Sequence, residues 1–295
     1  MRALIVGCGY VGLPLGAELA RGGHEVHGVH RSPARADLLR SAGIRSIVAD
    51  VTRPESLRDV VVGFDWVVNA VSSSKGGVDE YRAVYLEGNR NLLAALAKAP
   101  PAKYVFSSST SVYGQTDGSA VTEESPAEGA SPTNRVLIET ERLLRDAFAR
   151  SAFPAIIARV AGIYGPDRGF LFQQYLRGEA KMAGKGDRYI NMVHLDDVVH
   201  SIIAMLDKGA PGEVYNVVDD KPVTQLEFFQ WIAARLNRPL PPFVADAEMP
   251  QRKRGNTNKR VSNDKLKRAL DYQFIHPTFR QGYESEIQKQ LQQRS

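Results

Sequence analysis

Residues 4–12 read Leu-Ile-Val-Gly-Cys-Gly-Tyr-Val-Gly, a short apolar run that ends in the pattern G-x-G-x-x-G. The run predicts a buried strand, and the residues after Gly12 continue with the apolar spacing of a helix. In such a turn Gly7 permits the change of direction, Gly9 lets a pyrophosphate approach the backbone, and Gly12 lets the helix pack closely. The free N–H groups of the helix N-terminus favour an anion. We therefore predict a dinucleotide site here; the alternative is a structural turn that binds nothing.

Strands and helices alternate after this turn. The sequence predicts strands at 25–30, 44–49, 66–71, from 104 onward and at 155–160, with helices at 32–41, 52–60, 78–98 and 132–150. This alternation predicts an α/β fold, a Rossmann-like doubly wound parallel sheet. After residue 166 the pattern loosens, with helices expected at 170–177, 196–207 and 224–236 and a short strand at 214–217. We expect an NAD(P)-binding domain at 1–165 and a smaller C-terminal substrate lobe at 166–295, partly interleaved with the first.

Composition narrows the class of protein. Hydrophobic residues make up 43% and charged residues 24% of the chain, as in ordinary globular proteins. The sequence has no apolar run of about 18 residues, so we expect no membrane span. The first strand begins directly at the N-terminus, so we expect no signal peptide. The single cysteine, Cys8, cannot form an internal disulfide and predicts a reducing, cytoplasmic location.

The net charge of +5 comes from one segment. Residues 251–268 contain eight basic residues and one acidic residue, and the rest of the chain has 30 basic and 32 acidic residues. A basic loop beside a cleft suits an anionic small molecule, so Arg252 and Arg254 are candidate substrate contacts. A solvated charged loop remains the alternative. Because no aromatic residue interleaves the run, we expect no nucleic-acid partner.

Three further stretches complete a resemblance to a known family. They read FSSSTSVYG at 106–114, RVAGIYGP at 159–166 and VHLDDV at 193–198. Together with the glycine motif, they resemble the extended short-chain dehydrogenase/reductases, the group of nucleotide-sugar epimerases and dehydratases. The resemblance implies that Ser109 hydrogen-bonds the reacting substrate oxygen.

The resemblance also implies contacts with cofactor, substrate and partner. Implied cofactor contacts are Gly7, Gly9, Tyr10, Val11, Gly12, His30, Arg31, Ser32, Arg35, Asp50, Val51, Asn69, Ala70 and Val71. Implied substrate contacts are Ser72, Ser108 and Arg188. A homodimer is expected through the helices at 78–98 and 132–150, with Leu86, Leu93, Leu137 and Leu144 on or near the shared face.

The end of the second predicted strand bears on the choice of cofactor. NAD-specific relatives carry a carboxylate there for the ribose 2′-hydroxyl, whereas this chain reads His30-Arg31-Ser32. Arg31 can pair with a 2′-phosphate, and Arg35 lies one helical turn beyond it. We therefore predict a preference for NADP(H), with NAD(H) also possible. The alternative is that Arg31 is an ordinary surface arginine.

The family's proton-transfer pair, Y-x-x-x-K, is absent. Thr133 stands at the tyrosine position and Leu137 at the lysine position, and no tyrosine in the chain is followed by a lysine four residues later. An aliphatic hydroxyl has a far higher pKa than a phenol, so we do not expect Thr133 to act as the acid. Tyr113 and Tyr164 are the remaining proton-transfer candidates, although such residues more often serve packing. This departure resembles the atypical members of the family.

Other catalytic centres find little support. We expect His194 to play a structural role. No Cys/His cluster has metal-ligand spacing, so the sequence predicts no metal site.

Two functions stay open from the sequence. The first is an NADP(H)-dependent oxidoreductase or epimerase/dehydratase-like enzyme that acts on a polar, anionic metabolite such as a sugar nucleotide, through Ser109 and a non-standard proton donor. The second is a non-catalytic NADP(H)-binding sensor or regulatory protein. The missing pair favours the second, whereas the retained serine-rich strand end and the basic loop favour the first.

Overall fold

The computed structural model describes residues 1–73, 76–129, 131–245 and 257–292. The strands are β1 (Arg2–Val6), β2 (Glu25–His30), β3 (Arg45–Val48), β4 (Trp66–Asn69), β5 (Lys103–Ser109), β6 (Ala120–Val121), β7 (Ala155–Val160), β8 (Gly162–Tyr164), β9 (Met182–Ala183), β10 (Tyr189–Ile190), β11 (Met192–His194), β12 (Val214–Val217), β13 (Val223–Thr224), β14 (Phe243–Val244) and β15 (Arg260–Val261). The α-helices are α1 (Gly12–Arg21), α2 (Ala36–Ser41), α3 (Val78–Tyr81), α4 (Gly88–Leu96), α5 (Pro132–Ser151), α6 (Phe170–Leu176), α7 (Leu195–Lys208), α8 (Gln225–Leu236), α9 (Asp264–Leu270), α10 (Phe279–Gly282) and α11 (Glu284–Gln292).

A seven-stranded sheet forms the centre of the molecule. Its order is β3-β2-β1-β4-β5-β7-β12, and every neighbouring pair is parallel. The first strand lies inside the sheet, between β2 and β4. Ile5 is paired with Gly28 on one side and with Val68 on the other. Chain order therefore reverses at β1, and ligands of such sheets bind at the carboxyl ends of the strands beside this reversal. The predicted Rossmann-like doubly wound fold is confirmed.

Most predicted elements are present, and one is not. The bounds of β2, β7 and β12 are those expected from the sequence. Residues 52–60, predicted as a helix, form turns and a single 3₁₀ turn at Pro54–Ser56. The Asp50 carboxylate accepts the Thr52 backbone N–H at 2.9 Å, and the Ser56 hydroxyl donates to the Asp50 carbonyl at 3.0 Å. These local hydrogen bonds compete with the helical ladder, so the prediction at 52–60 was wrong.

The apolar side chains form two core clusters. The larger cluster surrounds the central sheet and includes residues of α7 and of α9, such as Ile202 and Leu266. The smaller one is rich in aromatic side chains, among them Tyr164, Phe228 and Tyr283, and joins α6, α8, α10 and α11. Segments beyond residue 166 thus contribute to both clusters.

The helices expected at a dimer face pack mainly inward. The helical run 78–96 contains a π-helical turn at Arg82–Glu87 between α3 and α4. Leu86, Leu137 and Leu144 are buried in the chain's own core, and Leu93 is half-buried. The three buried leucines therefore cannot contact a partner directly, and a homodimer through these helices stays a prediction. A partner on these helices would instead contact exposed residues.

A buried ion pair connects α5 to the sheet. Arg159 of β7 is 2% exposed, and its Nη2 donates to Glu141 Oε2 at 2.7 Å. The Ser108 hydroxyl donates to the other carboxylate oxygen at 2.6 Å. Arg159 Nη1 donates to the Tyr113 hydroxyl at 2.8 Å, and that hydroxyl donates to Asn216 Oδ1 at 2.8 Å. The network therefore joins α5, β5, β7 and β12.

We predict that Glu141→Ala destabilises the protein by about 3–5 kcal/mol, because it leaves a buried guanidinium without its counter-ion. Glu139→Ala is the matched control: Glu139 lies on the same helix as Glu141, and it and its partner Arg82 both have side chains 47% exposed, so loss of this pair should cost less than about 1 kcal/mol. Urea unfolding monitored by circular dichroism measures both. Equal effects of the two substitutions would contradict the importance of the buried pair.

Candidate functional site

The glycine turn lies at the carboxyl end of β1, beside the chain reversal. Gly7 has a φ of +96°, and a Cβ placed there would lie 2.8 Å from the Val71 backbone. A Cβ on Gly12 would lie 2.1 Å from the Gly7 carbonyl oxygen. By contrast, a Cβ on Gly9 would meet no atom within 4 Å. The turn is thus closed on the protein side and open at Gly9, where a phosphate could approach.

The end of β2 presents two arginines beside this turn. His30 is buried, with Nδ1 2.7 Å from the Ser32 carbonyl and Nε2 2.7 Å from the Ser46 hydroxyl. Both its ring nitrogens are engaged, so His30 holds the loop instead of facing a ligand. Arg31 and Arg35 are exposed, and neither forms an ion pair with any described residue. Arg35 is close enough to Cys8 to influence that thiol electrostatically.

Cys8 itself is inert in this position. It is 3% exposed, and burial raises the pKa of its thiol to about 12. A thiol with this pKa is protonated at neutral pH and is a poor nucleophile. The residue fills space beneath the turn, where a Cβ on Gly28 would lie 2.5 Å from its sulfur.

The residues that follow β3, together with those at and after the end of β4, are the other predicted contacts of the cofactor. Asp50, after β3, is half-buried and turns one carboxylate oxygen to Thr52. Val51 is buried. Asn69 is buried and donates to Asn89 and Tyr104, so its side chain is structural. The half-buried segment Ala70–Val71 passes beside Gly7.

Tyr10, which follows the second glycine of the motif, also contacts the distant Y-G-P stretch at 164–166. The Tyr10 hydroxyl donates to the Pro166 carbonyl at 3.0 Å, and the Arg168 guanidinium lies 4.5 Å from the centre of the Tyr10 ring. Burial raises the Tyr10 pKa to about 12. Val11 immediately precedes α1 and is half-buried. This contact joins the cofactor turn to the beginning of the second half of the chain.

The serine-rich end of β5 lies on the same edge of the sheet. Ser109 is the last residue of β5 and is 8% exposed; its hydroxyl accepts the Ser111 backbone N–H at 3.2 Å. Ser108 is committed to Glu141, so its hydroxyl serves the buried network. Ser72, after β4, is exposed. Ser109 and Ser72 are thus the serines of this edge that remain candidates for contact with a substrate.

The positions of the missing pair are filled by packing residues. Thr133 is 4% exposed, and its hydroxyl lies 3.1 Å from that of Ser131, which caps the N-terminus of α5. Leu137 is 2% exposed and belongs to the main core. No described residue of α5 is a lysine. This helix therefore supplies neither a phenol nor an ammonium group to the site.

The two tyrosine candidates are both buried. The Tyr113 hydroxyl is held between Arg159 and Asn216, and burial raises its pKa. Tyr164 is 1% exposed, stacks on Tyr283 with ring centres 4.4 Å apart, and also has a pKa raised by burial. These positions favour packing roles. Proton transfer by either tyrosine stays a prediction.

The basic segment divides into two parts. Arg252 and Arg254 lie outside the described residues. Lys259 is 4% exposed, and its ammonium donates to the Tyr113 carbonyl and the Thr257 hydroxyl, both at 2.9 Å. No carboxylate among the described residues forms an ion pair with it, and burial lowers its pKa to about 8. The sequence groups Lys259 with the basic loop expected to contact an anionic substrate, and it does not predict that this ammonium is buried.

Residues next to Lys259 connect the two halves of the molecule. The Asn191 amide donates to the Lys259 carbonyl at 2.9 Å. Strand β15 pairs with β6, which follows the S-V-Y-G residues at 111–114 (the SVYG stretch). The Tyr189 backbone N–H donates to Asn258 at 2.9 Å. Arg188 is half-buried just before β10. Lys259 therefore lies between the end of the serine-rich stretch and the 188–191 segment.

His194 has the structural position expected of it. Its Nδ1 accepts the Asp196 backbone N–H at 3.2 Å, which caps α7. Its ring lies edge-on to Tyr164, with ring centres 5.3 Å apart. Glu141 and Asn216 are residues of this region that the sequence did not single out. For Glu141 a signal existed: it falls on the apolar face of α5 together with Val136 and Leu144.

Comparisons with known proteins agree with this geometry. Residues 3–218 match the NAD dependent epimerase/dehydratase family. The chain is 31% identical to protein YeeZ of Escherichia coli K12 over 94% of this chain and 96% of that protein. It is 26% identical to a 3-diazoavenalumate denitrifying reductase of a Streptomyces species, over 96% and 99% of the two chains.

Solved structures show the same fold. The dTDP-glucose 4,6-dehydratase DesIV of Streptomyces venezuelae, solved with NAD bound, superposes with a TM-score of 0.84. It is 23% identical, and the match covers 100% of this chain and 98% of the other. Within the described residues, no helix has both the length and the apolar character that crossing a membrane requires.

The buried ammonium of Lys259 predicts a pH dependence of stability. Below pH 8 the folded and unfolded chains both carry this charge, and the folded chain bears the cost of burying it. Between about 8 and the ordinary value of 10.5, only the unfolded chain keeps the proton, so stability rises with pH. The free energy of unfolding of the wild type, relative to that of Lys259→Met, should therefore rise by up to about 3 kcal/mol over this range.

Urea unfolding from pH 7 to pH 10 tests this expectation. Lys208→Met is the matched control, because the Lys208 side chain is 54% exposed. The free energy of unfolding of Lys208→Met should differ from that of the wild type by an amount that is nearly independent of pH. A Lys259→Met curve parallel to that of the wild type would contradict the burial of an unpaired ammonium.

Proposed function

The chain belongs to the NAD-dependent epimerase/dehydratase family, and we propose that it is an NADP(H)-dependent enzyme of the oxidoreductase or epimerase/dehydratase type. Its substrate would be a polar, anionic metabolite such as a sugar nucleotide. The observation that carries this proposal is the common edge of the sheet: the open glycine turn, the arginines after β2 and Ser109 after β5 all lie at carboxyl ends of parallel strands. A cofactor lying along this edge would have Ser109 near its reactive end.

Arg31 and Arg35 support the choice of NADP(H). Both are exposed, and no described carboxylate neutralises either one. A carboxylate that would receive the 2′-hydroxyl of NAD is missing from His30-Arg31-Ser32. A guanidinium suits a phosphate because its planar donors can make two parallel hydrogen bonds. NAD(H) would remain a weaker ligand of the same site.

An anionic substrate would compensate the positive charge near the SVYG stretch. Lys259 is buried with only neutral acceptors beside it among the described residues. An isolated buried charge is costly, so an anion bound nearby would be favoured. The named substrate of the similar dehydratase, dTDP-glucose, is a sugar nucleotide and carries such a charge.

We favour an enzyme over a non-catalytic NADP(H)-binding protein. A sensor would need the cofactor turn but no serine at the end of β5. One relative that matches nearly the whole chain is named a reductase. We also propose a homodimer through the exposed surfaces of α3, α4 and α5, and a cytoplasmic location.

The proposed cofactor preference predicts the effect of Arg31→Ala. Loss of one arginine–phosphate pair should weaken NADP(H) binding by about 1.5–3 kcal/mol, roughly 10- to 150-fold, and leave NAD(H) binding nearly unchanged. Calorimetric titration with both cofactors measures this. Arg45→Ala is the control, because Arg45 lies on the neighbouring strand and pairs with Glu25 at 2.7 Å. A wild type that prefers NAD(H), or an Arg31→Ala variant that keeps the preference, would disprove the assignment.

The proposed chemistry predicts different effects of two hydroxyl deletions. Screening NADPH oxidation against sugar nucleotides and hydroxy or keto acids should identify a substrate. Ser109→Ala should then lower kcat by about 10²-fold or more, as losing a donor to a reacting oxygen does. Thr133→Val keeps the size of the side chain and should cost little.

A third variant separates an enzyme from an inactive binding protein. Thr133→Tyr with Leu137→Lys rebuilds the family's pair on α5. If the wild type has no turnover with any substrate and this variant gains it, the protein is a binding module. Collapse of an existing activity in Thr133→Val would show that Thr133 belongs to the catalytic machinery, against our assignment.

A further inference from the structure

Two imidazoles and a carboxylate meet at the N-terminus of α7. His194 ends β11, Asp196 lies in the first turn of α7, and His276 belongs to the segment between α9 and α10. One ligand atom from each residue lies within 4.8 Å of the other two. Asp196 and His276 are 80 residues apart in the sequence, which explains why ligand spacing could not predict this cluster.

Two of the three donor separations fit a small transition-metal ion, and all three donor atoms lie within 4.8 Å of one another. His194 Nδ1 lies 3.4 Å from Asp196 Oδ2, and His276 Nε2 lies 3.3 Å from the same oxygen. In a tetrahedral zinc site with bonds of about 2.0–2.1 Å, neighbouring donors are about 3.3–3.4 Å apart. The imidazole ring centres lie 3.9 Å apart, closer than those of two histidines bound to one tetrahedral ion, so the His276 ring would turn away from His194 on binding. The His276 side chain is 22% exposed, so its ring has room to adjust around an ion.

The contact between His194 and Asp196 itself favours a cation. His194 Nδ1 accepts the Asp196 backbone N–H, so this nitrogen carries no proton and its one lone pair is engaged by the helix cap. The Asp196 carboxylate oxygen, 3.4 Å from the same nitrogen, is also an acceptor, so no hydrogen bond joins these two atoms. A positive ion between them would turn this unfavourable contact into a favourable one.

A buried carboxylate holds His276 in place. Asp197 is fully buried, and its two oxygens accept the backbone N–H groups of Ile275 at 2.6 Å and His276 at 2.9 Å. The Tyr272 hydroxyl also donates to it at 3.0 Å. The segment that carries His276 is therefore fixed against α7, next to His194. Such outer-shell support is typical of metal sites in proteins.

From these contacts, the geometry points to a binding site for a divalent transition-metal ion, with Zn²⁺ as its natural probe, formed by His194, Asp196 and His276. Two nitrogen ligands and one oxygen ligand suit Zn²⁺, Co²⁺ or Ni²⁺. Three protein ligands leave a fourth position for water. One lone pair on His194 Nδ1 cannot serve both the ion and the Asp196 N–H, so binding weakens this cap and limits the affinity.

The site is independent of the proposed enzymatic function, although it lies near the cofactor turn. A Cβ on Gly165 would lie 3.4 Å from His194 Nε2 and 3.1 Å from the Tyr10 hydroxyl. The ion would connect the 272–276 segment to the start of α7. Ion binding should therefore stabilise the folded chain.

The test uses the full chain, purified without a polyhistidine tag and stripped with a chelator. Calorimetric titration with Zn²⁺ should show one saturable site, and Co²⁺ should give visible absorption bands that Zn²⁺ abolishes. His276→Ala and, separately, Asp196→Asn should weaken Zn²⁺ binding by at least about 10- to 100-fold. Both residues are partly exposed, and circular dichroism verifies that the variants fold.

His27→Ala is the matched control. His27 Nε2 lies 2.9 Å from Glu25 Oε1, so it forms a histidine–carboxylate pair that lacks a second imidazole. This variant should bind Zn²⁺ like the wild type. Absence of saturable binding in the wild type, unchanged affinity in both His276→Ala and Asp196→Asn, or loss of binding in His27→Ala would each overturn the proposal.

Discussion

A very close backbone approach occurs at the glycine turn, and the rest of the site depends on it. The start of α1 lies so near the end of β1 that a Cβ on Gly12 would be 2.1 Å from the Gly7 carbonyl. Gly7 is in turn pressed against Val71, after β4. These contacts draw three elements together on the protein side of the turn. The other side stays open at Gly9, and the carboxyl ends of β2, β4 and β5 lie along the same edge.

A second constraint is the buried ion pair between Arg159 of β7 and Glu141 of α5. The Arg159–Glu141 pair is buried on both sides, where its ions have lost their water. Such a pair is weak evidence for stability but costly to break, since removing one partner leaves a buried charge. Hydrogen bonds to Ser108 and Tyr113 satisfy the remaining groups. The pair consequently fixes the serine-rich end of β5 relative to α5 and β7, and this fixed strand end carries Ser109.

The sequence predicted what local patterns encode. Short, nearly continuous apolar runs and turn residues were enough for the central strands, and the glycine spacing was enough for the turn. The failure at 52–60 arose because Asp50 and Ser56 offer hydrogen bonds that compete with a helix. Contacts between distant residues were beyond reach: Lys259 and Tyr113 are 146 residues apart. For the same reason, the basic segment was treated as uniform although Lys259 is buried in it.

Because the family's Y-x-x-x-K pair is missing, a different part of this chain supplies the lysine near the SVYG stretch. In relatives with Y-x-x-x-K the lysine stands on the helix after the fifth strand, whereas here Leu137 fills that position and packs into the core. Arg159 is buried near the SVYG stretch, but Glu141 neutralises it. Lys259 contacts the same stretch from the opposite end of the chain, and no described carboxylate neutralises it. Because a buried ammonium beside neutral acceptors favours a nearby anion, Lys259 supports the proposal of a negatively charged substrate over that of a phenolate formed on the protein.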